Sequence, residues 1–236
     1  MRVVMITGGS SGIGKALAAR LTTEPERYAV VICGRSRERL EQAIADLEPD
    51  ARVFQAVQAD VTQSADVARL VSSVLQKFGQ IDVLVNSAGA GHLGAFAETD
   101  EATIERLWAV NVKGAMLVTQ AVLPTMTERK SGHIVNLCGV LGVKTIANAA
   151  LYCATKHALV GFGNALAQEV RRYNIRVSNV CCSGVDTPFW EGIPGKPRAE
   201  MLLRAEDVAE EIAHLLEQPA HVAMGMVLMQ HVAHQL

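Results

Sequence analysis

The sequence lacks the features that would point to a large or charged partner. Its 236 residues carry a formal net charge of only −2, so overall charge attracts neither nucleic acid nor an anionic membrane. No apolar run reaches the roughly 18 residues of a membrane-spanning helix, and lipidation motifs are absent. Internal repeats, low-complexity segments and charged linkers are also absent, which favours one domain over residues 1–236. We therefore expect the partner to be a small molecule.

The cysteine pattern does not indicate a secreted protein. The five cysteines are an odd number and contain no CxxC pair, and the chain begins directly in a strand-like run. His231 and His234 lie three residues apart near the end of the chain, but no third ligand is evident, so we predict no metal site. These features predict a cytoplasmic protein.

Short apolar runs alternate with helical patterns along the whole chain. Half of the residues are apolar and 19% are charged, a composition that excludes disorder. Helices are predicted over 64–78, 100–128 and 204–218, and a further long helix is predicted to end at about residue 173. Seven strands are predicted near 2–7, 29–33 and 53–59, within 81–89, near 134–137, within 175–184, and near 224–229. This alternation predicts a doubly wound, mainly parallel α/β sheet.

A glycine-rich loop, TGGSSGIG at 7–14, separates the first strand from the first helix. Gly8, Gly12 and Gly14 permit a tight turn, close approach of the backbone to a pyrophosphate, and close packing of the helix on the strand. The exposed N–H groups at the helix start favour phosphate charge. A plain strand-to-helix turn is the alternative, but the position at the start of the alternating pattern favours a dinucleotide site.

Arg35 follows the second strand, where an NAD-binding unit usually carries an acidic residue for the ribose hydroxyls. A guanidinium can pair with a 2′-phosphate, so this residue favours NADP(H) over NAD(H). Arg39, one turn further on, is either a second phosphate contact or part of a solvated helix face. Ser10 and Ser36 can add hydroxyl donors.

Polar and small residues end the next two strands. Asp60 can accept a hydrogen bond from an adenine amino group or fill an ordinary turn or cap role. Asn86, Ala88 and Gly89 end the fourth strand, where small residues let a cofactor lie against the backbone. Asn111 falls in an otherwise apolar stretch, so its amide must be hydrogen-bonded, and spacing alone indicates a structural role.

Tyr152 and Lys156 lie four residues apart in a helical pattern and therefore share one face. The phenol is a plausible proton donor, and an ammonium beside it should favour the phenolate and lower the pKa of Tyr152. Such pairs occur on many helix surfaces, so the spacing alone is weak evidence for chemistry.

Six ordered motifs resemble the short-chain dehydrogenase/reductase family over essentially the whole chain. They are TGGSSGIG at 7–14, Asp60-Val61, NSAG at 86–89, VNVKG around Asn111, YCATK at 152–156 and SGVDTP from Ser183. The resemblance implies a single-domain Rossmann-like fold with a seven-stranded parallel sheet in the order 3-2-1-4-5-6-7. It also implies hydride transfer between a nicotinamide and an alcohol or carbonyl carbon.

The same resemblance assigns roles to the residues that match the motifs. Tyr152 would be the acid/base. Lys156 would lower the pKa of Tyr152 and bind the nicotinamide ribose, while Asn111 would hold a water for proton relay. Val185 and Thr187 would fix the nicotinamide carboxamide. The expected cofactor contacts are Thr7, Gly8, Ser10, Gly12, Ile13, Gly14, Arg35, Asp60, Val61, Asn86, Ala88, Gly89, Lys156, Gly184, Val185 and Thr187.

Gly139 departs from the family pattern. The family serine that hydrogen-bonds the substrate oxygen stands thirteen residues before the tyrosine, and that position here is Gly139. Losing one preorganised donor typically costs about 10²–10³ in rate. Cys138, the adjoining residue, is only a weak donor. Thr145 or Ser183 could supply a replacement hydroxyl.

The segment at about 186–203 follows the sixth strand and is irregular, with Phe189 and Trp190 as its large apolar residues. Loops beyond strand ends carry binding residues, so we predict a modest, mostly apolar substrate pocket that includes Gly139. Ser183-Gly184 stands where the family usually has Pro-Gly, which removes a rigid turn near the nicotinamide.

Two functions remain open at this point. The first is an NADP(H)-dependent oxidoreductase that interconverts a small or medium, mostly apolar carbonyl compound and its alcohol. The second is an NADP(H)-binding sensor or scaffold subunit with weak or no turnover, because Gly139 lacks the hydroxyl. The retained Tyr152, Lys156 and Asn111 favour catalysis, since a binding module needs no proton relay. Surplus apolar surface on the helix after Tyr152, together with the resemblance, predicts a homodimer or homotetramer.

Overall fold

A computed structural model describes residues 1–233. Within these residues one parallel sheet has seven strands in the order 3-2-1-4-5-6-7. The strands are β1 (Arg2–Thr7), β2 (Tyr28–Gly34), β3 (Phe54–Gln58), β4 (Val83–Asn86), β5 (Gly132–Leu137), β6 (Ile175–Cys182) and β7 (Met226–Met229). The predicted single-domain, Rossmann-like α/β fold is confirmed.

Helices cover both faces of the sheet. They are α1 (Gly12–Thr22), α2 (Arg37–Leu47), α3 (Ser64–Phe78), α4 (Glu101–Trp108), α5 (Ala115–Arg129), α6 (Ala150–Val170) and α7 (Ala205–Glu217). One apolar core lies between the sheet and helices α1, α2 and α7, and a second between the sheet and helices α3, α5 and α6. The inner strands read as continuous apolar runs because both faces are covered. None of the described helices combines the length and apolarity needed to cross a bilayer.

The predicted helix over 100–128 is interrupted in the structure. A π-helical turn at Ala109–Gly114 separates α4 from α5. At its end, a Cβ on Gly114 would lie 2.8 Å from Cγ2 of Val61, so the helix approaches the end of β3 closely there. A π turn adds a residue to one helical turn, and here it carries Asn111, which is buried. Hydrophobic periodicity alone does not reveal such a turn.

The segment that links β6 to α7 is bounded by a small parallel strand pair. Val185–Asp186 pairs with Leu203–Arg204 in a separate two-stranded sheet, so the chain returns beside Val185 eighteen residues later, at Leu203. We call residues 186–203 the substrate segment. Its position beyond the carboxyl ends of the strands is where ligands bind in open α/β sheets.

Candidate active site

The loop between β1 and α1 folds so tightly that two of its glycines leave no room for a side chain. Gly8 has a φ of 66°, and a Cβ there would lie 2.9 Å from the Ala88 backbone. A Cβ on Gly14 would lie 2.6 Å from the Gly8 carbonyl oxygen. Ser11, the residue before α1, makes no side-chain cap hydrogen bond. The N–H groups of the first turn are therefore not capped by that side chain, and the loop fits the pyrophosphate of a dinucleotide.

Arg35 lies exposed just beyond β2, where its carbonyl accepts a hydrogen bond from Gln58 Nε2 at 2.9 Å. The Arg39 guanidinium lies 3.8 Å from a carboxylate oxygen of Glu191 in the substrate segment. Ser36 caps α2, since its hydroxyl accepts from the Arg39 N–H at 3.2 Å. A cavity of about 510 Å³ runs between the glycine loop, α2 and the substrate segment, with Ser10, Arg39, Thr187 and Glu191 among its lining residues.

Thr7 and Ala88 join the ends of β1 and β4. The Thr7 hydroxyl accepts hydrogen bonds from the N–H groups of Ser87 at 3.1 Å and of Ala88 at 3.2 Å. Thr7 is itself 2% exposed. The Thr7 hydroxyl therefore holds the ends of β1 and β4 together beside the glycine loop. Because this hydroxyl already binds the protein, we expect Thr7 to position the loop for the cofactor rather than to bind the cofactor with its side chain.

Asp60 and Val61 were predicted to contact the cofactor, and both are engaged within the protein. One carboxylate oxygen of Asp60 accepts from Thr62 N at 2.9 Å and from the Thr62 hydroxyl at 2.8 Å, which is the turn role that the sequence left open. Val61 is buried against Gly114 of the π-helical turn. Both residues shape the end of β3.

Three buried asparagines on adjacent strands form what we call the asparagine row. Asn86, Asn136 and Asn179 are paired in register across β4, β5 and β6. Asn86 Nδ2 donates to Asn136 Oδ1 at 3.0 Å, and Asn136 Nδ2 donates to Asn179 Oδ1 at 3.1 Å. Asn179 Nδ2 then donates to Asn164 Oδ1 on α6 at 3.0 Å. Asn86, an expected cofactor contact, also donates from Nδ2 to Thr119 Oγ1 on α5 at 3.1 Å, so its side-chain NH₂ is used within the protein.

Tyr152, Lys156 and Asn111 converge at the carboxyl ends of β4 and β5. The ammonium of Lys156 lies 5.7 Å from the centroid of the Tyr152 ring and donates to the Leu137 carbonyl at 2.8 Å. Both Asn111 and Lys156 border Gly89, where a Cβ would lie 3.6 Å from Asn111 Oδ1 and 3.7 Å from Lys156 Nζ. The structure thus brings together the three residues that the sequence analysis grouped.

The Asn111 side chain is fully hydrogen-bonded by the protein. Its Oδ1 accepts from Ala90 N at 2.8 Å, and its Nδ2 donates to Ala90 O at 2.9 Å and to Thr155 Oγ1 at 3.1 Å. This is the hydrogen-bonding that a buried amide requires. It also ties the loop after β4 to α6, so Asn111 fixes the distance between the Gly89 backbone and the lysine.

Burial changes the acid–base properties of Tyr152 and Lys156. Desolvation raises the pKa of Tyr152 and lowers the pKa of Lys156, because each loses water around its charged form. The pKa of Tyr152 is therefore raised where the sequence predicted a lowered one, because the loss of water around the phenolate is the largest influence on it. Tyr152 is a protonated phenol at neutral pH.

Gly139 lies directly beside the phenol. Its φ is 69°, and a Cβ there would lie 3.9 Å from the Tyr152 hydroxyl oxygen and 3.8 Å from the Cys182 carbonyl oxygen. The neighbouring Cys138 is buried and its thiol donates to the Asn136 carbonyl at 3.6 Å, away from the phenol. The position predicted to carry a substrate-holding hydroxyl is therefore next to Tyr152, but it presents only backbone.

Two residues, Thr145 and Ser183, were candidates to replace the missing hydroxyl. Neither is hydrogen-bonded to Tyr152 in the part of the chain that the structure describes. Thr145 is exposed on the turn before α6. The Ser183 hydroxyl accepts from the His231 N–H at 3.1 Å, and Ser183 N donates to the Met229 carbonyl at 2.8 Å. Ser183 therefore anchors the end of β7.

The substrate segment packs on both the tyrosine and the glycine loop. The rings of Tyr152 and Phe189 are 5.8 Å apart, and Trp190 lies edge-on to Phe189 at 5.4 Å. Trp190 Nε1 donates to the carbonyl of the buried Val185 at 2.9 Å. Thr187 lies against Gly12, where a Cβ would be 3.3 Å from Thr187 Cβ.

Two further glycines shape this part of the site. A Cβ on Gly184 would lie 2.7 Å from Leu202 Cδ2, so the segment turns closely there. Gly91 was not predicted to belong to the site, yet a Cβ there would collide with Phe189 and Ile193. The sequence signal for Gly91 is a second glycine two residues after the one that ends NSAG. Ile13 is half-buried against the core at the start of α1.

No cluster of three His, Cys, Asp or Glu side chains that could bind a metal occurs within residues 1–233. His231 is half-buried next to Ser183, with its backbone N–H donating to the serine hydroxyl. His234, the other histidine considered in the sequence analysis, lies outside the described residues.

Known proteins resemble this chain over almost its full length. The sequence profile described as short chain dehydrogenase matches residues 2–197. An uncharacterized oxidoreductase of Staphylococcus epidermidis is 34% identical over 231 residues, which cover 98% of this chain and 97% of that protein.

Solved structures match the fold as closely. An alcohol dehydrogenase from the archaeon Thermococcus sibiricus, complexed with 5-hydroxy-NADP, has a TM-score of 0.90 and 27% identity, with 100% of this chain and 99% of that chain covered. A 3-ketoacyl-(acyl-carrier-protein) reductase from Brucella melitensis, complexed with NADH, has a TM-score of 0.88 and 30% identity, with 96% of each chain covered.

Proposed function

The chain belongs to the short-chain dehydrogenase family of oxidoreductases, and from that premise we propose that it reduces a small or medium, mostly apolar carbonyl compound to its alcohol with NADP(H). The observation that carries this proposal is the convergence of Tyr152, Lys156 and Asn111 beside Gly89. A protein that only binds a dinucleotide has no need for a half-buried phenol next to a buried ammonium.

NADPH, when bound, supplies the hydride. As the carbonyl carbon is reduced, its oxygen gains negative charge and takes the Tyr152 proton, which leaves a neutral alcohol. A phenol is protonated at neutral pH, so Tyr152 can supply this proton, and burial raises its pKa further. Lys156 stabilises the phenolate that remains, and Asn111 holds the loop after β4 against α6 so that the lysine keeps its position.

The decisive experiment is NADPH oxidation against a panel of aldehydes and ketones, comparing the natural chain with Tyr152→Phe. We expect Tyr152→Phe to lose about 10²–10⁴ in kcat/KM, the usual contribution of a positioned acid. Tyr173→Phe removes the same hydroxyl from the turn after α6 and serves as the matched control, with an unchanged rate. An active natural chain whose rate survives Tyr152→Phe would show that this assignment is wrong.

A second candidate function is an NADP(H)-binding sensor or scaffold subunit without significant turnover. The observation that favours it is Gly139, which leaves Tyr152 without the usual hydroxyl beside it. This candidate predicts NADPH binding with no Tyr152-dependent oxidation of any carbonyl in the panel. A large gain in Gly139→Ser over a nearly silent natural chain would instead indicate an impaired enzyme.

The preference for NADP(H) rests on Arg35, which is exposed beyond β2 beside the glycine loop. Solved relatives hold either an NADP-type cofactor or NADH, so the test is made on this chain. We expect Arg35→Asp to weaken NADPH binding by about tenfold or more, the effect of losing one charge-assisted contact, and to change NADH binding little. Arg37→Asp, which breaks an exposed pair with Glu41, is the matched control.

We also propose that α4, α5 and α6 form an interface between copies of this chain. An apolar cavity of about 630 Å³ lies between these helices, and Trp108, Met116, Phe162 and Leu166 are among its lining residues. Trp108 and Met116 are 40% and 38% exposed, large fractions for such apolar side chains. Size exclusion with light scattering should give a dimer or tetramer that Met116→Glu dissociates. A monomer at micromolar concentration would contradict this proposal.

A further inference from the structure

Gly139 leaves a small notch beside the reacting phenol. We define the notch as the space in which a Gly139 side chain would begin. Outside the adjoining residues, a Cβ there would have two described atoms within 4 Å, the Tyr152 hydroxyl oxygen at 3.9 Å and the Cys182 carbonyl oxygen at 3.8 Å. The notch is therefore bounded by a hydroxyl on one side and by a hydrogen-bond acceptor on the other.

The Cys182 carbonyl is directed at this notch because of the alternation in β6. The Val180 carbonyl faces β5 and accepts from Cys138 N at 2.9 Å, whereas Ser183 N faces β7 and donates to Met229 O at 2.8 Å. Residue 182 therefore points its carbonyl to the same side as residue 180. On that side β5 has ended at Leu137, and the turn after it donates no backbone hydrogen bond to Cys182 within residues 1–233.

Because of this arrangement, the substrate must supply a hydrogen-bond donor as well as an acceptor. A serine at position 139 would donate to the substrate carbonyl oxygen, but the Cys182 carbonyl can only accept. The substrate carbonyl oxygen is itself an acceptor, so it pairs with Tyr152 alone. An apolar substrate would cover the Cys182 carbonyl and leave it without a hydrogen-bond partner, which is unfavourable. The second donor must therefore come from the substrate.

We infer that the substrate is an α-hydroxy carbonyl compound, whose hydroxyl occupies the notch and donates to the Cys182 carbonyl while its ketone or aldehyde oxygen accepts from Tyr152. This inference rests on the carbonyl reduction of the proposed function, and it replaces the mostly apolar substrate of that proposal by one with a second polar group next to the carbonyl. Oxygens on adjacent carbons lie about one hydrogen-bond length apart, so one small molecule reaches both protein oxygens. Phe189, whose ring is 5.8 Å from that of Tyr152, favours a small substrate.

The reaction balances with the cofactor of the proposed function. The carbonyl carbon gains a hydride from NADPH, its oxygen gains the Tyr152 proton, and the product is a vicinal diol together with NADP⁺. The hydroxyl in the notch neither gains nor loses electrons. It serves to orient the carbonyl, which is a contribution to kcat/KM through positioning.

The test compares three ketones of similar size with the natural chain and NADPH: hydroxyacetone, butan-2-one and methoxyacetone. Butan-2-one replaces the hydroxyl by a methyl group, and methoxyacetone keeps the electron-withdrawing oxygen but cannot donate. We expect kcat/KM for hydroxyacetone to exceed both others by tenfold or more, because a site built for a donor rejects analogues that lack it. Equal values for hydroxyacetone and either analogue would overturn the inference while leaving the oxidoreductase proposal intact.

A variant and a binding measurement complete the test. Gly139→Ala puts a methyl group in the notch and should bring the hydroxyacetone to butan-2-one ratio close to one, whereas Gly161→Ala, in open space on α6, should keep the natural ratio. An unchanged ratio in Gly139→Ala counts against the inference.

Because a residue with a φ of 69° can resist substitution, the affinity of the protein–NADP⁺ complex for propane-1,2-diol and for butan-2-ol is measured on the natural chain. Tenfold tighter binding of the diol supports the inference, and equal affinities overturn it. This readout needs no turnover. If carbonyl reduction proves independent of Tyr152, the proposed function fails, and diol binding still decides the inference.

Discussion

Two buried titratable side chains lie at opposite ends of β5, and their environments differ in one decisive respect. His133 stands at the amino end, where burial lowers its pKa to about 3. Lys156 stands at the carboxyl end, and burial lowers its pKa too. Lys156 lies beside Tyr152 and beside Gly89, whose lack of a side chain leaves space for a ligand. His133 contacts Ser178 at 2.8 Å, and its Nδ1 has no partner within the described residues.

The comparison shows that a shifted pKa indicates burial and does not by itself indicate function. At the amino end, the side chains of Arg2 and Arg176 donate to carbonyls of the α7 end, Leu216 and Gln218, and close the sheet. At the carboxyl end the connections diverge and leave a crevice. Perturbed groups indicate a site only where a reacting molecule can reach them.

The largest effect should come from Lys156→Met. We expect kcat/KM for the preferred carbonyl to fall by about 10²–10⁴, since the phenolate loses its stabilising charge. Stability should change little, because the variant removes the desolvation cost of a buried ammonium along with its hydrogen bond to Leu137. Steady-state kinetics and urea unfolding measure the two effects. If Lys156→Met kept its activity, Lys156 would be, like His133, a buried group without a role in the reaction.

His133 should control acid stability without affecting catalysis. The neutral imidazole is favoured in the fold, so below pH 6.5 the unfolded chain binds a proton that the folded chain refuses until about pH 3. The free energy of unfolding should therefore fall as the pH drops from 6.5 towards 3, by up to about 1.4 kcal/mol per pH unit.

His133→Gln should flatten that slope in urea titrations across this range and leave kcat/KM at pH 7 within about twofold of the natural value, as expected for a residue outside the site. The exposed His221→Gln is the control and should keep the slope. A changed kcat/KM in His133→Gln would mean that the amino end also contributes to the reaction.

The asparagine row lies between the two ends of β5. Its packing should be sensitive to substitutions on α6, the helix that covers it. A Cβ on Gly163 would collide with Asn179 and lie 2.8 Å from Asn136 Nδ2, whereas a Cβ on Gly161 meets nothing within 4 Å. Gly163→Ala should cost about 1–3 kcal/mol of unfolding free energy through overpacking. Gly161→Ala on the same helix should add about 0.5–1 kcal/mol. Equal effects in urea unfolding would mean that α6 can move away from the row.

The smallest effect is expected at the surface pair of Arg39 and Glu191. Their side chains are 62% and 69% exposed and 3.8 Å apart, so solvent screens the attraction. Glu191→Gln should leave the urea unfolding midpoint unchanged within error. A clear shift would show that this pair holds the substrate segment in place.

Local patterns predicted the elements well where one physical signal dominates. The bounds of β1 and α3 agree with those predicted, because a compact apolar run and a strong helical stripe mark them. The end of the last strand also agrees, although β7 begins at Met226 rather than Met224. Gly225 instead accepts a hydrogen bond from Asn179 through its carbonyl.

The candidate site was harder to predict because its properties depend on contacts between distant segments. The raised pKa of Tyr152 follows from desolvation, which no spacing reveals. Asn86 was expected to contact the cofactor, but its role depends on partners on two other elements, Asn136 and Thr119. The contact of Phe189 with the tyrosine ring required the whole fold.

The two tryptophans of the chain provide separate optical reporters. Trp190 packs edge-on to Phe189, which lies beside Tyr152, so the emission of Trp190 should respond when a ligand displaces the Phe189 ring. Trp108 lines the cavity between α4, α5 and α6, so its emission should respond when copies of the chain associate. In Trp108→Phe, intrinsic fluorescence then follows ligand binding through Trp190, and in Trp190→Phe it follows assembly through Trp108, in both cases without an added dye.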